Sequence, residues 1–93
     1  MEQYTWFDGE LSITLTQTQI DACTHDGVIY DDCYYVTEEI KDQLKKYPHQ
    51  RIIDFLVDTG GWFVDELTDE EETNNKFIWM ICNDIQLNPD SYL

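Results

Sequence analysis

The dipeptide Asp8-Gly9, set between two alternating runs in "QYTWFDGELSITLT", constrains the fold of this chain most tightly. A two-residue type I′ hairpin loop needs positive φ at both central positions, and Asp-Gly between alternating residues is the strongest short-range hairpin signal. With such a loop Trp6 faces Leu11 and Tyr4 faces Ile13. Tyr4, Trp6, Leu11, Ile13 and Leu15 then share one face, opposite Thr5, Phe7, Glu10, Ser12 and Thr14, so the hairpin buries one side.

A short helix is expected over Thr16 to Thr24, with Gln19 three residues after Thr16 as in a capping box, and Gly27 follows it. The stretch "VIYDDCYYV" reads as a third strand from its β-branched and aromatic residues. From Thr37 to Tyr47, Ile40, Leu44 and Tyr47 recur at helical spacing, and Pro48 stops the chain. Pro48 can open the next helix, whose Ile52, Ile53 and Leu56 face inward and whose end is marked by Gly60-Gly61. The longest helix is expected from Thr68 to about Gln86, with Phe77, Ile81 and Ile85 in line, Ile78 and Cys82 beside them, and a break at Asn88-Pro89. The sum is an α+β fold: a small antiparallel sheet, made of the N-terminal hairpin and a third strand, packed with three or four α-helices. At 93 residues it forms a single domain spanning 1–93, and no internal repeat is visible.

That domain is strongly acidic, with 20 Asp and Glu against five Lys and Arg and a formal net charge of −15. Acidic segments that stay disordered are poor in aromatic and β-branched residues, whereas this chain is 42% hydrophobic and 14% aromatic, so an ordered protein is expected. The compact state bears self-repulsion that a neutral sequence would avoid. Nucleic acid and anionic membranes reward Lys and Arg, so direct binding to either is not expected and partners should be basic. The start, "MEQYTWFDGE", has neither a basic segment nor an apolar one, and no apolar run is long enough to span a bilayer. A cytoplasmic protein with no membrane association is expected.

Cys23, Cys33 and Cys82 are odd in number and lack C-x-x-C spacing, which favours free thiols over a disulfide framework. Cys82 falls on the apolar stripe of the last helix. A zinc site can be drawn from Cys23, His25, Cys33 and His49, but Cys-x-His lacks the paired spacing of common structural sites. A calcium loop in "DACTHDGVIYDD" fails: with Gly27 at the sixth position, Ala22 stands first and Cys33 twelfth, where carboxylates are required. No metal and no cofactor is expected. Two His, three scattered Cys and unordered carboxylates likewise offer no nucleophile paired with a base, so the chain reads as a non-enzyme.

Candidate functional residues come instead from charge. "DELTDEEET", from Asp65 to Thr73, places six carboxylates in eight positions with no Lys or Arg nearer than Arg51 and Lys76. With Thr68 as N-cap, Glu71 becomes its capping-box partner and Asp69 and Glu70 meet the positive end of the helix dipole. Asp65, Glu66 and Glu72 remain without such a role. Across the chain, residues 1–40 hold nine carboxylates and no Lys or Arg, residues 41–51 sum to +3, and residues 52–93 hold ten carboxylates against Lys76 alone. Within the basic stretch, helix-local pairs such as Asp42 with Lys46 are expected. Elsewhere helical neighbours such as Glu66 with Glu70 and Asp65 with Asp69 would stand about 5–6 Å apart, near the spacing of phosphates along a nucleic-acid strand.

In size, charge and lack of catalytic motifs the chain resembles the small acidic phage-encoded inhibitors of the anti-CRISPR and anti-restriction type, which mimic DNA. The resemblance implies a non-enzymatic inhibitor, a monomer or homodimer in the host-cell cytoplasm, that occupies the basic nucleic-acid-binding surface of a host protein. The partner-binding residues on this reading are Asp65, Glu66, Asp69, Glu70 and Glu72, with Asp31 and Asp32 from the other acidic half and Trp62 and Trp79 as apolar anchors. The alternative is an acidic interaction or assembly module that grips a basic partner through exposed aromatics, Trp62, Phe63, Trp79 and Tyr34 or Tyr35, without DNA mimicry. An acidic face that serves only solvation or salt tolerance is the third reading.

Overall fold

Strands β1 (Gln3–Phe7) and β2 (Ser12–Thr16) pair antiparallel in a computed structural model that describes residues 3–21 and 37–92 and the backbone of 24–25 and 28–29. Trp6 lies opposite Ile13 and Tyr4 opposite Leu15. The register is thus two residues from that of a two-residue loop, and residues 8–11 form a four-residue connection. Asp8 sets this loop: its Oδ1 accepts from the Glu10 and Leu11 amides at 3.0 and 2.7 Å, an Asx-type turn that a tight type I′ loop would not contain. Gly9 keeps the positive φ expected of it, at 109°. Because a slip of two preserves the pleat, the same five side chains stay inward, and Tyr4, Trp6, Leu11, Ile13 and Leu15 are all buried.

Helix α1 (Gln17–Asp21) starts with the expected capping box: the Gln19 amide donates to Thr16 Oγ1 at 3.2 Å and the Thr16 amide to Gln19 Oε1 at 2.8 Å. It ends three residues before Thr24, and the backbone then forms a short ribbon, β3 (Thr24–His25) paired with β4 (Val28–Ile29). The third strand expected from residue 28 is therefore not part of the hairpin sheet over its described residues. Residues 30–36 of that stretch, and Gly27, lie outside the described residues.

Over the described residues, both edges of the hairpin sheet find partners other than strands. Helix α2 (Glu38–Leu44), capped by Thr37, and the turn after it each lay one side chain along the free edge of β2. Gln43 Oε1 accepts from the Thr14 amide and Gln43 Nε2 donates to the Thr14 carbonyl, both at 2.8 Å, so one side-chain amide replaces a strand residue. Tyr47 does the same for Ser12, its hydroxyl accepting from the amide at 2.9 Å and donating to the carbonyl at 3.3 Å. On the opposite edge the Thr5 amide donates to the Tyr92 carbonyl at 2.8 Å. Open strand edges invite pairing with other chains, and here side chains and the C-terminal turn close them.

Two longer helices cover the buried face of the sheet. Helix α3 (His49–Asp58) contributes Ile52, Phe55 and Leu56, and α4 (Glu70–Leu87) contributes Phe77, Ile78, Ile81, Cys82 and Ile85. Pro48 immediately precedes α3, and α4 ends at Asn88 before a 3-10 turn at Pro89–Ser91. Trp6, Phe55 and Phe77 meet edge to face, with centroids 5.3, 5.8 and 5.4 Å apart, so one residue from each of β1, α3 and α4 forms the centre of the core. The Trp6 Nε1 donates to Asp84 at 3.2 Å, giving its polar edge a partner. The architecture is α+β, a two-stranded antiparallel sheet packed with four helices. Among the described residues no helix is long and apolar enough to cross a membrane.

Two outcomes follow for stability. Gly9→Val is expected to lower the melting temperature, because a β-branched residue resists φ near 109°; an unchanged melting temperature would contradict this turn. Gln43→Met keeps the side-chain length but strips the Thr14 amide and carbonyl of their partners, and should cost about 1–3 kcal/mol in denaturant unfolding. A loss under about 0.5 kcal/mol would show that water serves that edge equally well.

Candidate functional site

The acidic run lies on the connection from α3 to α4 and on the first turn of α4. The chain leaves α3 through Gly60 and Gly61, and the Trp62 amide returns a hydrogen bond to the Leu56 carbonyl at 3.2 Å. A 3-10 turn at Val64–Glu66 follows, closed by the Phe63 amide donating to Glu66 Oε2 at 3.0 Å. Leu67, buried at its end, pins the turn to the core. With Leu67 inward, Phe63 and Val64 are left 72% and 63% exposed, beside Asp65 and Glu66.

The α4 cap is Asp69, not Thr68. Asp69 Oδ1 accepts from the Glu72 amide at 3.0 Å, and the Asp69 carbonyl accepts from both the amide and the hydroxyl of buried Thr73, at 2.9 and 2.7 Å. A carboxylate is as good an N-cap as a hydroxyl, and burial of Thr73 fixes the helix to start one residue later than the capping-box spacing implies. Glu70, Glu71 and Glu72 then fill the first turn, where the dipole favours them. This corrects two expectations. Glu71 is not a capping partner of Thr68, and Asp65 with Asp69 or Glu66 with Glu70 are not neighbours on one helix, because Leu67 and Thr68 break the chain between a 3-10 turn and α4.

The expected residues Asp65, Glu66, Asp69, Glu70 and Glu72 are nonetheless contiguous along this segment and all exposed. Glu66 and Asp69 each also hold a local backbone amide. Asp31 and Asp32, with Tyr34 and Tyr35, lie outside the described residues, as do Cys23, Cys33 and the side chain of His25 from the zinc alternative. Cys82 is buried on the inward face of α4.

Trp62 and Trp79 do not stand out as anchors. They pack edge to face with centroids 6.0 Å apart, and both are half-buried against the core. Gly60 makes the arrangement possible, since a Cβ there would lie 2.6 Å from the Trp62 ring. The exposed aromatic of this region is Phe63. Its sequence signal is "GWFVDEL", of whose four apolar side chains only Trp62 and Leu67 turn inward.

Charge on the described surface is lopsided. Every described carboxylate is exposed except Asp84, which is half-buried under the Trp6 indole. Lys41 pairs with Glu38 at 4.0 Å, Lys45 with Asp42 at 3.6 Å, and Arg51 with Glu10 across to the hairpin loop. The Asp42 partner is thus Lys45 rather than Lys46, because α2 ends at Leu44 and Lys46 has left the helix. None of these pairs touches the carboxylates of residues 65–72. Among the described residues no three His, Cys, Asp or Glu side chains gather as metal ligands. Compared with protein-family models, curated proteins and solved structures, the chain matches none.

The cap assignment has a direct test. Asp69→Ala should cost about 0.5–2 kcal/mol of stability, whereas Thr68→Ala should stay within about 0.5 kcal/mol of the parent. Equal losses, or a larger loss at Thr68, would move the cap back one residue.

Proposed function

We propose that the protein is a non-enzymatic inhibitor that binds the basic nucleic-acid-binding surface of a host protein and blocks it by presenting DNA-like negative charge. It acts in the host cytoplasm, as a monomer or homodimer, and fits the small phage-encoded anti-CRISPR or anti-restriction type. The observation that carries this reading is the exposure of the carboxylates at 65–72, together with the absence of any described ion pair to them. Local capping and the helix dipole account for where Glu66, Asp69, Glu70, Glu71 and Glu72 sit, but not for their standing, with Asp65, clear of any described ion pair on a chain that already carries −15. A cleft lined by Lys and Arg is attracted by the same long-range field as it is by DNA, and its guanidinium and ammonium groups accept carboxylates much as they accept phosphates.

A second reading draws on Phe63 and Val64. Their exposure beside Asp65 and Glu66 suits a basic partner with an apolar pocket, held without DNA mimicry. The two differ in salt dependence: charge mimicry weakens steeply as salt screens it, and an apolar anchor keeps most of its binding.

The test uses the intact chain as bait for lysate proteins, alongside the variant Glu66→Gln, Glu70→Gln, Glu72→Gln. Gln keeps helix propensity and size, and leaves the Asp69 cap in place. The variant should fold as the parent does by circular dichroism, and its binding to the captured partner should weaken, by about 2–5 kcal/mol for each carboxylate that is desolvated against Lys or Arg. A folded variant that binds as tightly and as fast as the parent removes this segment from the interface. If Phe63→Ser then abolishes binding, the second reading takes its place.

A further inference from the structure

The exposed large apolar side chains among the described residues are Phe7, Phe63, Val64 and Leu87, and of these only Phe63 and Val64 are adjacent. The apolar neighbours that could cover them turn away: Trp62 packs on Trp79, and Leu67 is buried. The turn between is held by two bonds, the Phe63 amide donating to Glu66 Oε2 and the Leu67 amide to the Val64 carbonyl, both at 3.0 Å. The first of these folds a carboxylate back onto the residue that carries the exposed ring. Ring and anion therefore leave the surface at one place, with Asp65 between them in the chain.

Negative charge alone fits any surface that binds nucleic acid, and a fixed exposed ring narrows the choice. In a duplex the base faces are stacked on one another, so a protein meets phosphates and base edges. In a single strand the faces are free. Grooves that hold single strands combine a cationic track for the backbone with aromatic side chains on which the bases stack. Phe63 offers such a groove a flat apolar face where a base would lie. Asp65 and Glu66 offer its Lys and Arg anions where phosphates would lie, and the carboxylates up to Glu72 extend the complementary charge along the track.

We infer, resting on the charge-mimicry reading above, that the basic partner is a protein that binds single-stranded nucleic acid, and that Phe63 takes a base-stacking position in its groove. The exposed aromatic and the acidic run then serve one interface. A duplex-binding surface has a use for the carboxylates but offers no stacking position for the ring. An apolar pocket has a use for the ring but no need of its flatness, and this difference makes the choice testable.

The probes are two pools of host-lysate proteins, one retained by an oligothymidylate resin and one by a blunt-ended duplex resin, each offered to the intact chain. The complex is then challenged at constant ionic strength with oligothymidylate, oligouridylate, an abasic strand of equal length, and duplex. Capture should come from the single-strand pool, and one of the two base-bearing strands should displace the chain at a concentration about tenfold or more below that of the abasic strand or the duplex. Whichever of them does so supports the inference and names DNA or RNA as that partner's ligand. Phe63→Leu keeps an apolar side chain without a flat ring and should weaken binding about fivefold to a hundredfold, the range of one lost stacking contact, while Phe63→Tyr should bind as the parent does. Because Phe63 is 72% exposed, neither change should move the melting temperature. Capture from the duplex pool alone, displacement by duplex or abasic strand as readily as by the base-bearing strands, or full binding by Phe63→Leu would overturn the inference and leave charge mimicry standing. A complex that no strand displaces would overturn both.

Discussion

The edge-to-face contact of Trp6 with Phe55 and Phe77 is the interaction on which the rest of the structure depends. It joins the hairpin to both long helices through three rings, each pair contributing about 0.5–1.5 kcal/mol beyond area burial. Trp6 also donates its indole N–H to Asp84, the one described carboxylate drawn in from the surface. With so high a net charge the chain must keep nearly every acid in water, so the apolar residues have to close around a small centre. The aromatic triad does this without calling on polar groups other than Asp84.

A two-stranded sheet is a weak element alone, and its edges are a hazard. Here the sheet is finished by side chains. Gln43 and Tyr47 each satisfy both the amide and the carbonyl of a β2 residue, and Tyr92 supplies the carbonyl for β1. The same helix that brings Gln43 to the strand carries Lys41 and Lys45 on to a cleft beside α3 and α4. Closing the sheet and bringing two of the five Lys and Arg residues to this cleft are therefore one structural event.

Periodicity in the sequence reveals most of this core. The inward faces of both strands, the stripes of α2, α3 and α4, and the stop at Asn88-Pro89 follow from spacing alone, because apolar periodicity answers to burial. Placement by local hydrogen bonding is less legible. Asp8 has two uses, as a turn residue and as an acceptor for two amides, and the second moves the register by two. Thr68 and Asp69 are both good caps, and only the burial of Thr73 and Leu67 decides between them. In α3 the inward face is Ile52, Phe55 and Leu56 at i, i+3 and i+4, whereas Ile53, expected to face inward, is only half-buried at its rim. At the site, the acidic run is evident in the sequence, but which aromatic beside it stays exposed is not: Trp62 is drawn in by Gly60 and Trp79, and Phe63 is turned out by Leu67.

A fold whose described ion pairs all lie away from the carboxylates of residues 65–72 is suited to a basic partner, and the mode of binding is what defines the function. The most direct measurement takes the partner captured by the intact chain and challenges the complex with duplex DNA at constant ionic strength. Release of the chain in proportion to added DNA, with affinity falling steeply between low and physiological salt, is the result that charge mimicry predicts. A complex that DNA does not displace, and that persists at high salt, would contradict it.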